Sequence, residues 1–406
     1  MKRRLTALFM IGALALLLLA GCGRTEKKTV TIWHASDMHY LSPTLIEDRD
    51  AFVSLMEQGD GKATHYTPEL CKAFADAAAE ACPNAVIISG DLTLNGDLES
   101  HRELAELLTP LKEAGIRVLV LPGNHDLGGV GYRFTADSVE AVPAADPAAF
   151  AELYAEFGYN DAISRDEDSL SYVAELDGGV RVLMLDVNSG SHGSVTRDTM
   201  DWAEKQLKAA RRQGCTVVAV SHQNLYRHSP LFAFGYELNN GAELAALYEK
   251  YGVKLNLSGH LHIQHIAQQG STADIAVSSL AVTPNQYAVL RLDGDGMSYA
   301  TQPLSVTVEE NGAALSLTDY CAELFDTCTV TKTAPMLDGM DLTDAEYALM
   351  LETAKQMNRE YFGGLVSAPD PEGYRLWTLQ TEGFFPVYLE SMYSELGTDH
   401  NQWSSG

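Results

Sequence analysis

The feature that most constrains this chain is a series of short apolar runs, each followed by aspartate, asparagine or histidine. Amphipathic segments with helical periodicity separate the runs, and this alternation of strands and helices predicts an α/β domain. In α/β sheets, ligands bind at the carboxyl ends of the strands, so polar side chains that follow neighbouring strands can converge on one site. The groups concerned are Asp37-Met38-His39, Gly90-Asp91, Gly123-Asn124-His125-Asp126, His222 and Gly259-His260-Leu261-His262.

Strands and helices can be assigned around these groups. The predicted strands are 30–33, 85–88, 118–121, 181–185, 217–220 and 255–257, followed by 275–277, 287–292 and 297–301 as antiparallel strands. We interpret the acidic insertion Leu41 to Tyr66 as a solvated loop. Residues Asp126 to Leu176 are expected to mix loop and short helix.

A boundary is predicted near residue 306, which divides a domain over 29–305 from a mainly helical C-terminal extension over 306–406. Thr343 and Glu346 fit a capping box at the start of one helix. The apolar stripe from Tyr347 to Tyr361 that follows predicts a packing face, with the alternative that this helix also borders a substrate cleft.

The N-terminus has the pattern of a targeting segment. A basic start, an apolar stretch and small residues before Cys22 are typical of a cleaved signal peptide over residues 1–21. The end of this stretch resembles the lipobox of bacterial lipoproteins, which implies lipidation of Cys22, a tether over 22–28 and an extracytoplasmic location at the cell membrane. An uncleaved membrane anchor is the alternative, although the apolar stretch is slightly short for a span.

The net charge of −27 disfavours a nucleic-acid polymer as partner, because phosphate backbones are repelled by an acidic surface. An acidic surface is also a common device for solubility. The five cysteines other than Cys22 form no CxxC zinc motif. Cys321 and Cys328 could form a disulfide, but buried free thiols are the favoured interpretation.

The polar groups after the strands are oxygen and imidazole donors without thiolates, a set that suits zinc, iron or manganese. Two such ions about 3.5–4 Å apart can activate a hydroxide and clamp an in-line phosphoryl displacement. A carboxylate that bridges both ions must be central, and Asp91 has that position in the series. The glycines before Asp91, Asn124 and His260 would let the chain turn sharply and keep the backbone out of the site.

With these motifs in this order, residues 29–265 resemble the calcineurin-like metallophosphoesterase superfamily. The anchor and the helical extension make the chain most similar to bacterial class III cyclic-nucleotide phosphodiesterase-like proteins. The resemblance implies a two-sheet β-sandwich flanked by helices. It also implies that one metal is held by Asp37, His39 and His262, that a second is held by Asn124, His222 and His260, and that Asp91 bridges them. His125 would protonate the leaving oxygen, and Asp126 would orient His125.

Departures from sister families favour one substrate class. Phosphoprotein phosphatases have arginines where this chain has Asn95 and Pro122, and purple acid phosphatases have a tyrosine ligand where it has Leu94. We therefore expect a two-metal phosphoesterase that acts on small diesters resembling cyclic nucleotides. The alternatives are a phosphomonoesterase of the same chemistry and a catalytically degenerate lipoprotein binding module.

Overall fold

The computed structural model describes residues 29–190, 192–232, 234–294, 296–379 and 383–405. The predicted signal peptide, Cys22 and the tether lie outside the described residues. Seventeen strands occur in the described part of the chain. In chain order they are β1 (Val30–Ala35), β2 (Ala85–Ile88), β3 (Arg117–Val120), β4 (Gly131–Phe134), β5 (Val139–Val142), β6 (Ser164–Arg165), β7 (Tyr172–Leu176), β8 (Val180–Met184), β9 (Thr216–Val220), β10 (Leu255–Ser258), β11 (His265–Gln269), β12 (Thr272–Ala276), β13 (Gln286–Leu292), β14 (Met297–Pro303), β15 (Thr307–Glu310), β16 (Ala313–Ser316) and β17 (Gln402–Ser404).

Most of the strands form two sheets that share one apolar core. The first sheet has the order β17-β14-β13-β1-β2-β3, and the second has the order β11-β12-β10-β9-β8-β7-β6. Strands β1, β2 and β3 are parallel to one another, as are β8, β9, β10 and β12. Fully buried residues of both sheets, such as Val86 and Leu257, belong to the same core cluster. The predicted two-sheet sandwich is thereby confirmed.

The helices flank the sheets. They are α1 (Arg49–Met56), α2 (Thr67–Ala81), α3 (Leu98–Glu113), α4 (Pro147–Leu153), α5 (Arg197–Gln213), α6 (Gly241–Tyr251), α7 (Leu317–Leu337), α8 (Asp344–Phe362), α9 (Pro371–Thr378) and α10 (Phe384–Tyr393). Local sequence explains where several of them begin and end. Helix α5 begins after the side-chain cap Thr196 and ends at Gly214 in the left-handed conformation. Helix α8 begins with the predicted capping box of Thr343 and Glu346, in which both hydrogen bonds are present.

Two sequence-based expectations about strands need correction. The strand predicted at 275–277 is β12, which is antiparallel to β11 as expected but is also parallel to β10, and it lies in the second sheet and not beside β13 and β14 in the first. The segment from Asp126 to Leu176 contains, besides α4, the hairpin β4–β5 and the full strand β7. Sheet membership depends on pairing between distant segments, which local periodicity does not encode.

The C-terminal segment packs against the sandwich. After the hairpin β15–β16, helices α7 to α10 follow, and β17 then pairs with β14 of the first sheet. The domain boundary near residue 306 stays a prediction. Strand β17 lies after this boundary in the sequence, but it pairs with β14, which lies before it. The predicted apolar stripe of α8 is buried at Met350, Met357 and Tyr361, in one cluster with Leu261 and Ile263. These two residues alternate with His260 and His262, so the C-terminal helices support the strand end that carries both histidines.

The cysteines of the described chain are free thiols. Cys321 and Cys328 are buried on α7 without a disulfide, as two residues separated by two helical turns must be. Among the described helices, none combines the length and the apolar character that crossing a membrane requires.

Candidate functional site

The predicted site residues meet at one edge of the sandwich. Asp37, Asp91 and Asn124 follow the parallel strands β1, β2 and β3 of the first sheet, while His222 and His260 follow β9 and β10 of the second. Because both groups of strands end at the same edge, their polar side chains converge there, as the sequence predicted.

The first ligand set consists of Asp37, His39, Asp91 and His262, whose donor atoms all lie within 4.8 Å of one another. The Nε2 atoms of His39 and His262 are 3.0 Å apart, and His262 Nε2 is 3.4 Å from Asp37 Oδ1. Among the described residues, the buried Asp37 Oδ1 has no hydrogen-bond partner. A buried oxygen without a hydrogen-bond partner, 3.4 Å from a histidine ring nitrogen, fits a divalent cation.

The second ligand set consists of Asp91, His222 and His260, again with donor atoms within 4.8 Å. The Nε2 atom of His222 lies 3.3 Å from Asp91 Oδ1 and 3.1 Å from Asn124 Oδ1, so the asparagine predicted as a ligand belongs to this set. The other ring nitrogen of His222 lies 2.9 Å from the carbonyl of Ser89, which fixes the orientation of the ring.

Asp91 is shared by the two sets, and its two oxygens face different ligands. Its Oδ1 atom is near His222, and its Oδ2 atom is 3.9 Å from His39 Nε2. A carboxylate with one oxygen toward each set is the arrangement that a bridging ligand needs. The residues present therefore fit two metal ions.

Burial and mutual charge shift the pKa values of several predicted ligands. Burial opposes the charged form of Asp91, but the charge of His222 holds the pKa of Asp91 well below its usual value. Burial also opposes a charge on His222, yet the Asp91 carboxylate raises its pKa to about 9. Burial lowers the pKa of His260 to about 4 and that of His39 well below its usual value. His39 and His260 are thus neutral and Asp91 is charged at neutral pH, the states in which these side chains bind metals, whereas His222 is protonated and must release its proton to bind one.

Left-handed backbone conformations are concentrated at the predicted ligands. Of the eight non-glycine residues with positive φ in the described chain, five are predicted ligands. They are Asp37 (+52°), His39 (+45°), Asp91 (+46°), His260 (+68°) and His262 (+61°). This conformation costs an L-residue roughly 1–2 kcal/mol, and such strain persists mainly where surrounding structure and function require it.

The glycines of the motifs are required by close approach, as the sequence indicated. A Cβ atom on Gly123 would lie 2.1 Å from Asp91 Oδ1 and 2.3 Å from the Asp91 backbone nitrogen. One on Gly90 would lie 2.5 Å from His222 Nδ1, and one on Gly259 would lie 2.5 Å from Asp37 Oδ2. Each glycine therefore leaves the space that a ligand from another strand occupies.

His125 lies at the open side of the centre, with 39% of its side chain exposed. Its Nδ1 atom is 2.7 Å from the carbonyl of Leu94, and its Nε2 atom is 3.9 Å from Asp91 Oδ2. Its backbone nitrogen donates a hydrogen bond to Asp91 Oδ1 at 2.8 Å. The ring is thus held by one nitrogen and presents the other to the site.

Asp126 is buried and organises the backbone around His125. Its carboxylate accepts hydrogen bonds from the backbone nitrogens of Leu92, Thr93 and Gly123, and from the Thr93 hydroxyl. The predicted effect on His125 would therefore pass through Thr93 and the Leu94 carbonyl, and this role stays a prediction.

The insertion Leu41 to Tyr66 contributes two residues that the sequence analysis did not assign to the site. Asp60 and Lys62 line the cavity beside the metal ligands, and Lys62 Nζ is 2.9 Å from Asp60 Oδ2. The interpretation of this segment as a solvated loop is wrong for Lys62, which is mostly buried, whereas the side chain of Asp60 is exposed. The apolar residues of the segment, including Leu45 and Phe52, form a buried cluster that holds the insertion against the domain. A lysine without a motif gave no signal that could have identified it.

A third group of possible ligands joins His265 on β11 to Glu395 and His400 near the C-terminus. The Nδ1 atom of His400 accepts a hydrogen bond from the backbone nitrogen of Ile266 at 3.1 Å. Its Nε2 atom consequently carries the proton and points toward Glu395 Oε2 at 3.4 Å. A protonated ring nitrogen has no lone pair for a metal, so this group is a hydrogen-bonded junction between β11 and the C-terminal segment.

Comparison with known proteins identifies relatives of this chain. The chain is 29% identical over 188 residues to a probable cyclic nucleotide phosphodiesterase of Rhodococcus erythropolis, which covers 46% of this chain and 53% of that protein. It is 25% identical over 183 residues to a cAMP/cGMP dual specificity phosphodiesterase of Mycobacterium tuberculosis, which covers 44% of this chain and 49% of that protein. The matched region thus spans about half the length of these curated relatives.

Among solved structures, a dimetal phosphatase from Danio rerio aligns with a TM-score of 0.47 and 12% identity, covering 71% of this chain and 98% of that one. The family model described as calcineurin-like phosphoesterase matches residues 30–264, more than half of the chain and all the predicted ligands. This chain therefore belongs to the calcineurin-like phosphoesterase family.

Proposed function

We propose that this protein is a two-metal phosphodiesterase that hydrolyses small phosphodiesters. The observation that carries the proposal is the position of Asp91, which offers one oxygen to each of two ligand sets. Asp37, His39 and His262 would complete the first set. Asn124, His222 and His260 would complete the second. Manganese, iron or zinc would suit these donors.

Metal ions bound there would supply an activated hydroxide and neutralise charge on the phosphoryl oxygens during in-line displacement. The chain itself would place a proton donor beside the leaving group. Since the Leu94 carbonyl holds His125 by Nδ1, a protonated His125 can donate from Nε2 to the departing oxygen. Through Thr93, Asp126 would keep the Leu94 carbonyl in position.

The charge around the centre favours diesters over monoesters. A phosphomonoester is largely dianionic near pH 7 and is well held by arginine forks, but Asn95 and Pro122 stand where phosphoprotein phosphatases have arginines. Among the described residues that line the cavity, Lys62 is the only lysine or arginine, and Asp60 offsets its charge. A monoanionic diester needs less positive charge.

The relatives support the same choice, because both are named as cyclic nucleotide phosphodiesterases. The net charge of −27 disfavours long polyanions, which leaves small diesters as the favoured substrates.

The test compares bis-(p-nitrophenyl) phosphate with p-nitrophenyl phosphate, using purified protein with manganese. We expect a higher kcat/KM for the diester, and the variant Asp91→Ala serves as the control for contaminating phosphatases. A clear preference for the monoester would establish the phosphomonoesterase alternative instead. No turnover of either compound above the Asp91→Ala background would favour a degenerate binding module.

We also propose that the protein is lipid-anchored at Cys22 outside the cytoplasm. The support is the sequence pattern of residues 1–22. A diacylated cysteine would hold the protein stably at a membrane, whereas one acyl chain binds marginally. The variant Cys22→Ala should leave the membrane fraction or fail to be processed. Fractionation and cleavage identical to the wild type would contradict the anchor.

A further inference from the structure

The metal centre opens into a cavity of about 430 Å³ whose wall is formed by residues outside the ligand sets. The residues of this wall come from three separate parts of the chain. They are Lys62 from the insertion, Phe232, Phe234 and Tyr236 from the segment before α6, and Phe362 from the end of α8. This volume is in the range typical of sites for small organic ligands, so the cavity can hold more than a phosphate group.

The aromatic residues form a surface that continues directly from the metal ligands. The ring of Tyr236 lies 5.3 Å from the ring of the ligand His260, and Phe232 lies 5.4 Å from Tyr236. Helix α10 supports Phe232 from behind through Tyr388, at 5.7 Å. Phe232 and Tyr236 are therefore fixed by packing, while Phe234 is 96% exposed at the cavity.

An exposed phenylalanine beside a site is informative because of what surrounds it. Single exposed apolar residues are common on protein surfaces. Phe234, however, lines a cavity that also contains a metal ligand set, a second and third aromatic ring and an ammonium group. Flat aromatic faces next to a phosphoryl site are suited to stacking on a planar base.

Lys62 lines the same cavity as the metal ligands. Its side chain is only 13% exposed, although lysine normally extends into water, and it is held by Asp60. The lysine ammonium is a compact charge that can bind a single oxygen without the paired geometry of arginine.

We propose that Lys62, Phe234 and Tyr236 form a recognition site for a nucleotide diester, in which the base stacks on the two aromatic rings and the Lys62 ammonium binds a non-bridging phosphoryl oxygen. This inference rests on the proposed phosphodiesterase function and narrows its substrate to diesters that carry a planar base. Diesters with two aliphatic arms would use Lys62 and the metal ligands but not the aromatic rings.

The experiment compares two diesters with the manganese-loaded protein, 3′,5′-cyclic AMP and glycerophosphoethanolamine. We expect Phe234→Ala to raise KM for cyclic AMP by about 5- to 150-fold, the size that loss of one base–aromatic stack predicts, and to leave KM for glycerophosphoethanolamine unchanged. Phe234→Leu should resemble Phe234→Ala, because leucine keeps apolar bulk without a flat ring. Lys62→Met should lower kcat/KM for both diesters. Tyr393→Ala, at an exposed tyrosine outside the cavity, is the control and should change neither.

A binding measurement separates this inference from the proposed function. Titration calorimetry with a nucleoside phosphonate, whose C–P bond is not hydrolysed, should show weaker binding to Phe234→Ala, while binding of methylphosphonate should be unaffected. Equal effects of Phe234→Ala on compounds with and without a base, in turnover and in calorimetry, would overturn the recognition site. If the wild type hydrolyses neither diester, the phosphodiesterase proposal fails, and the phosphonate pair alone decides whether the base site exists.

Discussion

Adding one methyl group at Gly123 should disable the metal centre. The Cβ atom of Gly123→Ala would lie 2.1 Å from Asp91 Oδ1, more than an ångström short of ordinary contact. Rotation of the Asp91 side chain cannot relieve the overlap, because the Asp91 backbone nitrogen would be only 2.3 Å from the same atom. The backbone of one of the two strand ends must therefore move.

The size of the effect follows from these distances. Overpacking of this kind typically costs about 1–3 kcal/mol. Because the clash here involves backbone, we expect the free energy of unfolding of the variant to fall by about 3 kcal/mol. A metal ligand must be placed to within about 0.2 Å, so displacing the shared carboxylate should leave fewer than one ion per chain. Misplacement by about 1 Å lowers rates by roughly 100-fold, and we expect at least that loss in kcat/KM.

Gly129→Ala is the matched control, since Gly129 follows the same strand and a Cβ atom there would have no neighbour within 4 Å. Both variants would be assayed by elemental analysis, urea unfolding and hydrolysis of bis-(p-nitrophenyl) phosphate. If Gly123→Ala keeps two ions per chain and kcat/KM within threefold of the wild type, the result would contradict the requirement for glycine beside Asp91.

Three further outcomes are expected. Asp91→Ala should lose both ions because each set loses the shared carboxylate, and near two ions per chain by elemental analysis would refute its bridging role. His125→Ala should keep both ions but lose about 10²- to 10⁴-fold in rate on a diester with a poor leaving group, and an unchanged rate would remove His125 from the mechanism. Burial lowers the pKa of His65 to about 4, below its ordinary 6.5. As pH falls from 6.5 toward 4, the unfolded chain binds a proton at His65 and the folded chain does not, so the free energy of unfolding decreases. Between pH 7 and pH 5 this loss is about 2 kcal/mol, and urea unfolding of His65→Gln should show a correspondingly shallower decline than the wild type.

Features that depend on short, contiguous stretches of sequence could be predicted. The seven predicted ligands follow five apolar strands, and each motif glycine precedes its ligand, so the convergence of Asp37, Asp91 and His260 could be expected from their positions at strand ends. The capping box of Thr343 and Glu346 is similarly local, because both hydrogen bonds join residues three apart.

Features that depend on distant segments could not be predicted. Lys62 reaches the site because an apolar cluster around Phe52 holds its insertion, and neither residue has a motif. The aromatic wall combines Tyr236 with Phe362 of α8, which only the tertiary structure brings together. The three-residue strand β17 is too short to show periodicity, and its pairing with β14 depends on the complete chain.

The strand order of the first sheet also has a consequence for how this protein folds. Strand β1 is the first to be synthesised, yet Val30 pairs with Leu292, and the sheet is completed only when Gln402 meets Ala300. Contacts between such distant residues slow folding, because a long loop must close before the contact stabilises anything. During synthesis, one edge of β1 therefore stays without its native neighbour until most of the chain has left the ribosome. An open strand edge is a template for aggregation, so slower synthesis at low temperature should raise the yield of soluble protein.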